Sequence, residues 1–159
     1  MMKRRKYKLM RTQRGGAKKN INVYIGRFQP IHNAHYTIMK SSLQVDDPNT
    51  YLIVFIGSAN LYDYNKNPYS AYERKEMIEK TIKAGGYAKD KYIVHPLDNH
   101  NDWNNYGNKF NKTILELINN RFSTRVTLDD YAREYNIFLL GSNKDTSTTF
   151  YINWLLTNT

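Results

Sequence analysis

The sixteen residues NINVYIGRFQPIHNAH, Asn20 to His35, decide the fold. Ile21, Val23 and Ile25 alternate in a short strand pattern that Gly26 ends. Arg27-Phe28-Gln29-Pro30 makes a turn, and Asn33 to Leu43 then carries Ile38, Met39 and Leu43 at helical spacing. Gly26 permits a sharp turn or a close backbone approach to a ligand. His32 lies just before the helix and His35 near its start, where free backbone N–H groups and the positive end of the helix dipole suit phosphate. Two imidazoles there add hydrogen-bond donors, and Arg27 adds a charge. Taken alone, these residues leave three uses open: a phosphate site, a His-x-x-His metal pair, or helix capping.

The strand-then-helix pattern recurs along the chain. Tyr51 to Ile56 (YLIVFI) is a continuous apolar run, as expected of a strand buried on both faces. Ala71 to Ala84 reads as a helix with Met77, Ile78, Thr81 and Ile82 inward, stopped by Gly85-Gly86. Lys91 to Leu97 is a third strand, closed by Pro96. Asn108 to Asn120 is an amphipathic helix, Asp129 to Tyr135 a short one, and Asn136 to Leu140 a fourth strand before Gly141. This alternation predicts an α/β fold, a parallel sheet flanked by helices on both faces. Ligands of such sheets lie beyond the carboxyl ends of the strands. The polar clusters 26–35, 57–67, 98–105 and 141–145 all fall at those ends, so the four converge on one edge.

Composition narrows the classes further. The chain has 159 residues, enough for one domain, and no cysteine, which excludes disulfides and thiolate metal sites. No apolar run approaches the ~20 residues of a membrane helix, and the first residues lack the apolar core of a secretion signal. The expectation is a soluble, cytoplasmic protein. The net charge of +10 is localised: nine of the 24 basic residues lie in 1–19 with no acidic residue, leaving 15 basic against 14 acidic in the remainder. Residues 1–19 are therefore expected to be a basic, disordered tail and residues 20–159 the domain, with no nucleic-acid binding outside the tail.

GRFQPIHNAH resembles the GRFQP-[FL]-H-x-G-H signature of one branch of the nicotinamide mononucleotide (NMN) adenylyltransferases, which includes the archaeal type and the N-terminal domains of bifunctional adenylyltransferase/Nudix enzymes. Three further blocks resemble that family in order: GSANLYDYNKNPYSAYERKEMI (Gly57 to Ile78), PLDNHNDW (Pro96 to Trp103) and GSNKDTST (Gly141 to Thr148). The resemblance implies a Rossmann-like nucleotidylyltransferase fold. It implies a reaction of ATP with NMN that gives NAD and pyrophosphate with Mg²⁺, by direct attack of the NMN phosphate on the ATP α-phosphate. It implies His32 and His35 as the catalytic pair, with Gly26, Arg27, Phe28, Gln29, Gly141, Lys144 and Asp145 also at ATP. Phe28, Asn101, Asp102, Trp103 and Arg74 would bind NMN, Trp103 by stacking on the nicotinamide ring. No residue is assigned to a resident metal.

Four departures from the family pattern matter. Ala34 stands where the family has Gly. Asp63 sits where many members carry a basic residue. Trp103 follows Asp102 directly, without the usual gap. The Ser-x-Thr-x-x-Arg motif that closes the ATP site is missing after Thr146-Ser147-Thr148-Thr149. The alternative expectation is therefore a catalytically inactive or split nucleotide-binding module of the same family. It would be a homo-oligomer or would need a second chain to supply the C-terminal part.

Overall fold

The computed structural model describes residues 2–6, 18–57, 59, 68–97 and 106–142. Its five strands are β1 (Met2–Lys6), β2 (Lys19–Gly26), β3 (Thr50–Ile56), β4 (Tyr92–Pro96) and β5 (Tyr135–Ser142), in the sheet order β1-β5-β2-β3-β4. β5, β2, β3 and β4 run parallel to their neighbours, and β1 joins β5 antiparallel, with Met2 opposite Ser142 and Lys6 opposite Phe138. The helices are α1 (Asn33–Leu43), α2 (Ala71–Ala84), α3 (Tyr106–Phe122) and α4 (Tyr131–Glu134), with a 3₁₀ turn at Lys89–Lys91.

The period of two along each strand divides the core between the two faces. Ile21, Val23 and Ile25 of β2 join Tyr51, Ile53 and Phe55 of β3 on the face covered by Phe110, Ile114 and Ile118 of α3 and Tyr131 of α4. Tyr24, Leu52, Val54 and Ile56 point the other way, into Ile38 and Met39 of α1 and Ile78 and Ile82 of α2. Each such aliphatic side chain taken fully out of water contributes about 1.5–3 kcal/mol, so the continuous run in β3 is stabilised from both sides. One polar pair interrupts the α1 face. Asn22, buried in β2, donates to the Ser42 hydroxyl at 2.9 Å and fixes where α1 lies along the strand.

This order sets the position of the site. β2, β3 and β4 are laid down outward in one direction, and the chain then crosses back to place β5 on the other side of β2. The winding therefore reverses between β2 and β5, and the crevice outside their carboxyl ends is where such sheets take ligands. The strand ends are tied laterally: Gly57 N–H donates to Gly26 C=O at 2.8 Å, and Leu97 N–H to Ile56 C=O at 2.8 Å.

The structure differs from the sequence expectation by one or two residues at the ends of β4, α3, α4 and β5, which takes Gly141 into β5, and more substantially in two places. The expected disordered tail of residues 1–19 does not include Met2–Lys6, which form β1, or Lys19, which opens β2; residues 7–17 lie outside the described ones. MKRRK has no apolar alternation to betray a strand. Edge strands rely on backbone pairing and commonly carry charge against further pairing, so their side chains give little signal. In α2 the buried positions are Arg74, Ile78 and Ile82, at intervals of four, whereas Met77 and Thr81 are only half-buried.

Candidate functional site

The turn after β2 is built around a residue in an unusual conformation. Phe28 has φ 50°, in the left-handed region that non-glycine residues seldom adopt, and its ring is 1% exposed. The ring packs edge-on against Tyr24, at 5.4 Å between centroids, and against His35 at 4.8 Å. It folds back over Gly26 so closely that a Cβ there would lie 2.7 Å from the Phe28 Cζ. Gly26 is thus needed inside the protein, for its neighbour's ring. Gln29-Pro30, a cis peptide bond, completes the turn.

α1 starts on the histidines. His32 is its N-cap residue, with extended backbone, and His35 sits one turn in, in the third helical position. The two imidazoles stack, with centroids 3.5 Å apart and planes 18° from parallel. His35 Nδ1 accepts the His32 backbone N–H at 3.2 Å, which puts the proton of a neutral His35 ring on Nε2. The pair therefore stands at the positive end of an 11-residue helix, beside the crevice between β2 and β5. Ala34 is exposed and helical, so the backbone here has no need of the glycine that the family pattern carries.

A second element meets this turn from the side. α2 is started by Ser70, whose hydroxyl accepts the Glu73 N–H while the Glu73 carboxylate accepts the Ser70 N–H, a reciprocal cap readable from the Ser-x-x-Glu spacing. One turn in, Arg74 is 0% exposed. Its Nη1 donates to Arg27 C=O at 2.9 Å and to Gly57 C=O at 2.8 Å, and its Nε to Ser70 C=O at 3.3 Å. Burial is the main cause that pulls its pKa below the usual arginine range, with the Arg27 charge adding to it. The Arg74 guanidinium, expected at NMN, is thus buried against the turn and holds its backbone. Gln29, expected at ATP, pairs through its side-chain amide with both backbone groups of Tyr69, at 3.0 and 3.2 Å.

Of the other expected site residues, Arg27 is exposed on the turn, and Gly141 lies buried within β5, opposite Lys3 of β1. Asn101, Asp102, Trp103, Lys144 and Asp145 lie outside the described residues, as does Asp63. Tyr24, which floors the Phe28–His35 contact, carried no functional signal in the sequence, because a buried aromatic in a strand reads as core. Among the described residues there is no group of three or more His, Asp or Glu able to hold a metal ion, and no helix is long and apolar enough to cross a membrane.

Comparison with known proteins yields the following. The cytidylyltransferase-like family model matches residues 23–141. A nicotinamide-nucleotide adenylyltransferase of Pyrococcus abyssi is 38% identical over 80 residues, covering 50% of this chain and 40% of that protein. One from Saccharolobus solfataricus is 34% identical over 87 residues, covering 53% and 49%. Among solved structures, a bifunctional NMN adenylyltransferase/ADP ribose pyrophosphatase from Francisella tularensis, crystallised with AMP and a manganese ion, superposes with a TM-score of 0.55 at 26% identity over 85% of this chain and 41% of that one. The matches thus span half or less of each relative's length.

Proposed function

The chain belongs to the cytidylyltransferase-like family, and from that premise we propose that it transfers the adenylyl group of ATP to NMN, forming NAD and releasing pyrophosphate. The observation that carries this reading is the stacked His32–His35 pair at the start of α1, beside the crevice where the sheet reverses. It is supported by the names of the relatives, which are adenylyltransferases acting on nicotinamide nucleotide.

An NMN phosphate oxygen attacks the ATP α-phosphorus, a new P–O bond forms, and the bond to the bridging oxygen breaks as pyrophosphate leaves. The enzyme contributes no nucleophile; its work is alignment and stabilisation of charge on the departing oxygens. His32 and His35 supply N–H donors to those oxygens, helped by the backbone N–H groups of the first turn of α1. Arg27 adds a cation at the rim, and the backbone of Gly26–Phe28 lines the nucleotide. Gly141, Lys144 and Asp145 border the ATP ribose and adenine, while Asn101, Asp102 and Trp103 take the nicotinamide end. Mg²⁺ would enter with ATP and would add charge stabilisation on its phosphates. The reading puts the protein in the cytoplasm.

The test is direct. The purified chain with ATP, Mg²⁺ and NMN is expected to form NAD and pyrophosphate, and His35→Ala to lower kcat by about 10²-fold or more. Full turnover in His35→Ala would remove that residue from the mechanism. Binding of ATP or NMN without product would favour the inactive or split module, and no binding of either would end both nucleotide readings.

A further inference from the structure

We infer that Arg74 and Gln29 are positioning residues: from outside the site they hold the turn Gly26–His32 in the shape that brings His32 and His35 together. The kinetic side of this rests on the adenylyl-transfer reading; the structural side does not.

The two side chains grip the residues on either side of Phe28. Arg74 Nη1 donates to Arg27 C=O on one side, and Gln29 on the other side is tied to Tyr69 by two hydrogen bonds. Phe28 needs such a grip, since a left-handed backbone is unfavourable for a non-glycine residue. Its ring is what His35 leans on, and His35 in turn stacks on His32. A line of contact thus runs from the start of α2, through the turn, to both imidazoles. The same Arg74 nitrogen also donates to Gly57 C=O, so one donor fixes the spacing between the ends of β2 and β3. Only a planar fork spans these carbonyls while its Nε reaches Ser70; a lysine in its place keeps the charge but offers a single donor centre. Gln29 and Tyr69 are 40 positions apart in sequence and Arg74 and Arg27 47. The turn is therefore held by tertiary contacts as well as by its own local sequence.

The full 159-residue chain, Arg74→Lys and Gln29→Met are compared by thermal melting, by nitrogen NMR of the imidazoles and by steady-state kinetics with ATP and NMN. Both variants are expected to melt cooperatively, to lose the Nδ1-acceptor signature of His35, and to show kcat reduced about 10²-fold with each KM within about threefold. Unchanged imidazole spectra in a folded variant overturn the inference. So does a raised KM with kcat intact, which marks a residue that touches ligand. If the parent chain makes no NAD, the adenylyl-transfer reading falls and the imidazole spectra alone decide this one. If Arg74→Lys does not fold, Gln29→Met, altered at a half-buried side chain, decides by the same readouts.

Discussion

Two arginines at opposite ends of the sheet put the same group to different uses. At the carboxyl end, Arg74 is fully buried and its guanidinium donates to the carbonyls of Arg27, Gly57 and Ser70. At the amino end, Arg121 keeps 27% of its side chain exposed, pairs with Asp90 through a backbone contact at 2.5 Å and a carboxylate at 3.8 Å, and lies over the rings of Phe122 and Tyr51 at 4.6 and 5.8 Å. The buried arginine fixes where loops go, and its loss would leave buried carbonyls without their donor. The half-exposed one lays its guanidinium over aromatic rings within reach of water, where partners are exchangeable. Polar chemistry is thus held rigidly at the end where a ligand would sit, and loosely at the other.

The comparison breaks most readily at Arg74. Arg74→Ala strands two strand-end carbonyls in a buried setting and is expected to cost about 3–5 kcal/mol of unfolding free energy in urea titration; a loss under about 1 kcal/mol would mean that water replaces the guanidinium. Next comes Gly26→Ala, whose new methyl meets the Phe28 ring at 2.7 Å. It is expected to cost about 1–3 kcal/mol, and adding Phe28→Ala should recover part of the lost melting temperature, because the clash is with that ring. Arg121→Ala should cost only about 0.5–1 kcal/mol; a loss as large as that of Arg74→Ala would erase the contrast.

The smallest effect at neutral pH is expected at Tyr51, and it has a definite sign. Burial pushes the Tyr51 hydroxyl up to about 12, with Arg121 pulling partly against it. Folding thus favours the protonated phenol over the unfolded value of 10.0. The associated stability is complete below pH 10 and drains away as pH rises from about 10 toward about 12. Tyr51→Phe has no proton to lose, so its stability should decline less over that interval, as read by urea unfolding at stepped pH.

What the sequence made legible follows the reach of side-chain periodicity. α1 and α2 have the bounds that Ile38, Met39, Leu43, Ile78, Ile82 and the Gly85-Gly86 stop suggest, because apolar spacing and stop signals are local. YLIVFI announced a strand covered on both faces, and β3 is one. β1 was illegible because its pairing with β5 is made by backbone groups that every residue has. The internal roles of Arg74 and Gln29 were hidden for a related reason: their partners are carbonyls and an N–H contributed by distant segments, which no motif spells out. A polar residue in a functional motif can be held by backbone that only the fold brings near it. Gly26 repeats the point, since the room that its missing side chain leaves is taken by Phe28.

The sheet order also fixes a schedule of assembly. β2, β3 and β4 are neighbours in the order in which they leave the ribosome, so half of the sheet can form while the rest of the chain is still being made. β5 is different: it slots between β2 and β1, and Lys3 finds its partner only when Gly141 has been synthesised. Until then the inner edge of β2, the strand that carries the histidine turn, remains open, and β1, the first of the described strands, is the last of them able to pair.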